Sequence, residues 1–176
     1  DPQPLEGSKY HVPVRHDTLL DQVELKLNDR GWEVNDCKVA LSENFMKMFY
    51  TMDIAPVDQA LTRKFPDGVI ARTEDHGRGY MLGGRHGNDQ SMAVRGVAGT
   101  TVFVCDNMML NGSDFLFRRK HTDQLNLPEL VAAGIDQLPL ELTQNEAGVW
   151  AMEDQKLTDD QAKLKLYAAF LERPVP

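Results

Sequence analysis

The side chains in this chain best suited to holding a ligand are five cations of its middle third: Arg85, Arg95, Arg118, Arg119 and Lys120. Phosphate recognition needs several such groups converging, together with backbone N–H groups from a loop or a helix start. The stretch Gly83-Gly84-Arg85-His86-Gly87-Asn88-Asp89 can supply those N–H groups, and it reads equally as a tight turn whose Asp89 caps the next helix. On a strand, Arg118 and Lys120 face one way while Arg119 and His121 face the other, so the run makes one patch only at a sheet edge. Phe49 is the aromatic placed to stack on a base, because alternation puts it with Lys47 and Thr51 on a polar face. Phe45, Tyr50, Tyr80, Phe103, Phe115 and Phe117 sit in apolar stretches and read as core.

A second constellation, His86, Asp89, Cys105, Asp106 and His121, contains residue types that ligate zinc or a harder cation. Its members follow no recognised ligand spacing, with His86, Asp106 and His121 the nearest to a metal set. Cys105 after an apolar strand reads as a buried small hydrophobe, and Asp106-Asn107 as a turn. His11 and His16 read as arm residues that bind nothing. No complete catalytic motif and no cofactor fingerprint is present, so a binding role is expected over an enzymatic one.

The elements that position these groups follow from periodicity. Residues 1–16 are rich in proline and polar groups and read as an extended arm. Leu19, Leu20, Val23 and Leu27 recur at helical spacing between a Thr18/Asp21 capping box and a stop at Gly31, which predicts a helix over 18–30. Trp32, Val34, Val39 and Leu41 suggest a strand with an irregularity near Asp36. After a turn at Ser42-Glu43-Asn44, Met48, Tyr50, Met52 and Ile54 alternate with polar neighbours, completing a hairpin. Further strands are expected over 69–72 and 79–84, around a flexible turn at 75–79. A helix capped by Asn88 or Asp89 should then run through Met92, Ala93, Val94 and Val97 to Gly99. A buried strand at 100–105, a hairpin turn at Asn111-Gly112 and a returning strand at 115–121 follow. Three C-terminal helices are expected: 126–137 with a capping box at Asn126 and Glu129, 140–153 interrupted by Gly148, and one capped by Thr158 and Gln161. The predicted fold is α+β: a mostly antiparallel sheet with an N-terminal helix, a helix packed on the sheet and a C-terminal helical segment. In domain terms that is an arm (1–16), an α+β core (17–125) and a helical segment of the same domain (126–176).

Charge is distributed unevenly. The chain of 176 residues has a net charge of −8, yet residues 61–121 balance at +3, against −5 before them and −6 after. A basic face can therefore form on an acidic protein, since screening confines distant repulsion to about 10 Å. The two cysteines, Cys37 and Cys105, have no redox spacing, which fits a reducing, cytoplasmic compartment. No apolar run has the length of a membrane span. The chain begins at Asp1, so some preceding sequence is expected to have been removed.

The segment Tyr80–Thr122 carries Leu82-Gly83-Gly84-Arg85, a polar loop ending Asp89-Gln90-Ser91, then Val102-Phe103-Val104-Cys105-Asp106-Asn107 and Arg119-Lys120-His121-Thr122. With Pro13-Val14-Arg15-His16 ahead of an amphipathic helix, it resembles the phage- and plasmid-borne family known as domain of unknown function 932. Where that family commonly has Asn-Ser-His-Asp-Lys-Ser, this chain has His86-Gly87-Asn88-Asp89-Gln90-Ser91 and so lacks the lysine. The resemblance implies a mobile-element setting and a chain that continues beyond Pro176. The element order also resembles the core of phage single-strand annealing proteins, which act as oligomers. Three expectations follow: contact with single-stranded nucleic acid or another polyanion through Arg85, Arg95, Arg118, Arg119, Lys120 and Phe49; an acidic module that binds a host or defence protein; or a metal-dependent hydrolase.

Overall fold

The computed structural model of the protein describes residues 11–57, 78–102, 116–153 and 158–164. Helix α1 (His16–Asn28) opens the described chain, and Leu19, Val23 and Leu27 recur every fourth residue and are fully buried. Each such side chain removed from water contributes roughly 1.5–3 kcal/mol, which sets the face of the helix that meets the sheet. The helix begins at His16, with Arg15 at the cap position and no side-chain cap, so the Thr18/Asp21 box is not used. It ends where Gly31 takes φ 79°, a left-handed conformation that glycine adopts without steric cost.

Strands β1 (Trp32–Leu41) and β2 (Lys47–Pro56) pair antiparallel, with a register shift between Val34 and Asp36 at the expected irregularity. Strands β3 (Arg78–Gly87), β4 (Val94–Val102) and β5 (Phe117–Arg119) complete an antiparallel five-stranded sheet in sequence order. The fold is therefore α+β with an antiparallel sheet, as the sequence predicts. The helix expected from Asn88 to Gly99 is instead strand β4. Glycines at 96 and 99 and threonines at 100 and 101 disfavour a helix, and β3 offers eight consecutive pairing positions, from Arg78 opposite Val102 to Arg85 opposite Arg95. The strand expected at 69–72, the turn at Asn111-Gly112 and residues 103–115 lie outside the described residues.

One sheet face is the core. Met48, Tyr50, Met52 and Ile54 of β2, Tyr80, Leu82 and His86 of β3, Val94 and Ala98 of β4 and Phe117 of β5 are all buried. Helix α2 (Leu127–Glu153) brings Val131, Ile135, Leu138 and Leu142 to the same core. That stripe continues unbroken through Pro139, which is why two expected helices form one; Thr143 Oγ1 donates to the Pro139 carbonyl at 2.8 Å. Asn126 Oδ1 accepts from the Glu129 N–H at 3.4 Å, as its capping role requires. The Arg30 guanidinium at the end of α1 pairs with Asp136 on α2 at 2.6 Å.

The chain divides into two compact units, Asp1–Glu146 and Ala147–Pro176. In the second, Thr158 Oγ1 accepts from Gln161 N (3.4 Å) and Gln161 Oε1 accepts from Thr158 N (3.1 Å), a reciprocal capping box that starts helical residues 159–164. No helix among the described residues is long and apolar enough to cross a membrane.

Candidate functional site

Residues directly opposite one another in antiparallel strands point to the same face. In this sheet Ala40 stands opposite Phe49, Phe49 opposite Arg85, Arg85 opposite Arg95, and Arg95 opposite Arg118. One cross-strand row thus carries an aromatic ring and three guanidinium groups on the face away from the core. Three strand spacings separate Phe49 from Arg118, about 14 Å. Arg85 and Arg118 are exposed, Arg95 is half-buried and Phe49 retains 46% of its surface. The Arg95 pKa is pushed down, first by partial desolvation and then by the neighbouring Arg118 and Arg85 charges. Mutual repulsion of this kind is relieved when an anion arrives.

Two cavities meet at Arg95. The first, about 540 Å³, is a largely apolar trough lined by Val39, Ala40, Tyr50, Thr51, Gly84 and Val97, with Phe49, Arg85, Arg95 and Lys38 around it. Lys38, Thr51, Gly83 and Val97 form the row beside Phe49 and Arg85 on the same face, with short side chains except at the β1 end, whereas Val39 and Gly84 stand opposite Tyr50 in a core-facing row. The second cavity, about 700 Å³, lies where β5 forms the sheet edge among the described residues. Arg95, Arg118, Arg119 and Lys120 line it together with His11 and His121, and no carboxylate of a described residue does. Edge placement lets both sides of the Arg118-Arg119-Lys120 run reach one space. The side chains of Arg85, Arg119 and Lys120 form no ion pair or hydrogen bond among the described residues.

The glycine-rich stretch does not make the anticipated anion cradle. Gly83 to Gly87 lie inside β3, where their backbone groups belong to the sheet. Asp89 does not cap a helix: it accepts from Ser91 N (3.1 Å) and Ser91 Oγ (2.6 Å) in the β3–β4 turn and pairs with Lys47 at 3.2 Å. Asn88, 5% exposed, holds the segment before α1. Its Nδ2 donates to the Val14 carbonyl (2.8 Å), its Oδ1 accepts from Val14 N (3.0 Å), and its own carbonyl accepts from His11 Nε2 at 3.1 Å.

His11 and His16, expected to bind nothing, are both engaged. Four imidazoles form a column: His11 stacks on His121 (5.1 Å between centroids), His121 on His86 (5.2 Å), and His86 meets His16 edge-on at 4.6 Å. His16 Nδ1 lies 2.6 Å from His86 Nε2, and His86 Nδ1 lies 3.4 Å from His121 Nε2. Burial, with His16 and His121 beside it, pushes the His86 pKa down to about 3; burial and His11 lower that of His121. The nitrogens of the metal candidates His86 and His121 are directed at each other, at His16 and at a backbone carbonyl. Among the described residues no group of three or more histidine, cysteine or acidic side chains is arranged to hold a metal, and Cys105 and Asp106 lie outside them. Sequence separations of 70 and 35 residues leave no local signal for this column.

No family model, curated protein or solved structure matches the chain. What the site does is therefore argued from its own chemistry.

Proposed function

We propose that the sheet face carrying the arginine row binds single-stranded nucleic acid, with the backbone phosphates along Arg85, Arg95 and Arg118 and a base on Phe49 beside the apolar trough. The single observation that carries this reading is the cross-strand row. Four of the six side chains singled out in the sequence, scattered over seventy positions, stand side by side on one face. An apolar floor beside a line of cations fits a ligand that is flat and apolar on one side and anionic on the other. Arg119 and Lys120 extend the cationic surface at the sheet edge. The likeness of residues 80–122 to a phage- and plasmid-borne family supports a mobile-element setting for this activity, acting without a metal or organic cofactor.

Titration of a labelled single-stranded oligonucleotide, followed by fluorescence anisotropy at several salt concentrations, tests the proposal. Three phosphate contacts give a slope of log affinity against log salt of about −2, and all five cations about −3.5. Replacing Arg85 and Arg118 together by alanine should lower affinity and flatten that slope by about 1.4. Phe49→Ala should weaken binding by roughly 1–3 kcal/mol with the slope unchanged, because stacking releases no counterions. Equal affinity for wild type and the double arginine variant would remove the basis of the reading.

A further inference from the structure

The histidine column contains a proton count that neutral rings cannot satisfy. His16 Nε2 lies 2.7 Å from the Phe45 carbonyl, and His121 Nδ1 lies 3.3 Å from the Val12 carbonyl. The chain therefore runs carbonyl, His16, His86, His121, carbonyl, with four hydrogen bonds in series. Each carbonyl end needs a proton on the facing nitrogen, and each ring–ring contact needs one shared proton. Four bonds thus require four protons, whereas three neutral imidazoles carry three. His11 stays outside the count, since one Nε2–H satisfies its bond to the Asn88 carbonyl.

We propose that His16, His86 and His121 form a site for one additional proton, and that occupation of this site latches the segment before α1 and the β1–β2 turn onto the sheet. The geometry assigns what the proton joins. Val12 lies in the segment ahead of α1 and also donates its N–H to the His121 carbonyl at 3.2 Å. Phe45, held at φ 55°, lies in the turn between β1 and β2. His16 begins α1, and His86 and His121 lie at the ends of β3 and β5. One proton therefore ties together five parts of the chain that are distant in sequence. His16 is partly open to water, while His86 and His121 are buried. Loss of the proton leaves one of the four contacts without a donor, so the latch loosens as the pH rises.

Arg15 and Asp17, at the start of α1, pair with each other. Lys47 of β2 pairs with Asp89 of the β3–β4 turn. Glu43 is exposed in the β1–β2 turn and Asp123 after His121. Arg95, Arg118, Arg119 and Lys120 share the edge cavity with His11 and His121, and their charge opposes proton uptake from that side.

Amide exchange at Val12 and Val14, corrected for intrinsic rates, reads the latch without any ligand. In the wild type, protection at both amides should fall about ten-fold as rising pH removes the proton. His16→Gln keeps an N–H donor but has no titratable group at this position, so its protection should be independent of pH. His16→Phe, with no donor, should show low protection throughout. The nitrogen shifts of the imidazoles in the folded wild type should show four protons on the three rings under the conditions in which the two amides are protected. Three neutral rings, or a glutamine variant that titrates like the wild type, would overturn the proposal.

Discussion

Arg95 sits at the centre of the site because its position satisfies two geometries at once. It is the middle member of the cationic row, and it borders both the apolar trough and the edge cavity. His86 is its counterpart on the opposite face, one residue beyond Arg85, where the pleat turns the side chain inward. That ring is fully buried and its pKa lies near 3, so folding favours the neutral form. A depressed histidine pKa contributes stability in full above the unfolded value of about 6.5, and that stability is lost as the pH falls from there toward about 3. Unfolding free energies from urea titrations at successive pH values should therefore drop on the acid side, by up to about 1.4 kcal/mol per pH unit for each histidine kept neutral. His86→Gln should flatten this acid limb if the variant folds, and an unchanged limb would show that other groups govern it. The identity of the row residues was legible in the sequence through charge and through the polar alternation around Phe49. Their alignment was not, because strand register is fixed by pairing partners far away in the chain. The histidine column was illegible for the same reason, and His11 and His16 look idle until the sheet brings His86 and His121 to them.

Strand β4 shows where local reasoning reaches its limit. Met92, Val94 and Val97 carry a spacing compatible with a helix, whereas burial of Val94 and Ala98 with Gly96 between them follows a period of two. The deciding terms are long-range: β3 pairs along one edge of β4 and β5 along the other. Gly96 has a further role in packing. A Cβ there would meet the Phe117 ring, and one on Gly134 of α2 would meet the same ring from the other side. Phe117 is thus held between strand and helix, and both neighbours must be glycine for α2 to approach. Gly96→Ala and Gly134→Ala should each destabilise the protein by roughly 1–3 kcal/mol through overpacking, measured by chemical denaturation. Gly148→Ala, where nothing lies within 4 Å, should be neutral or slightly stabilising by helix propensity. Helix α1 and strand β2, in contrast, were readable from the sequence, because each carries a single uninterrupted period.

At the scale of the molecule, a net charge of −8 surrounds a middle segment of opposite sign. The arginine row lies on the sheet face away from the core, Arg119 and Lys120 stand at the edge formed by β5 among the described residues, and Asp36 and Asp53 face each other on the row's own face two pairing rows away. A strand of nucleic acid crossing that face meets the cations within about 14 Å of one another, while the acidic remainder is screened beyond about 10 Å at moderate salt. The most direct test is an amide-resolved titration of the isotopically labelled protein with a single-stranded oligonucleotide. Shifts should gather at Ala40, Phe49, Thr51, Arg85, Arg95 and Arg118 and at the Arg119-Lys120 edge. Shifts confined to the outward surfaces of α1 and α2, or none at all at saturating oligonucleotide, would contradict the account.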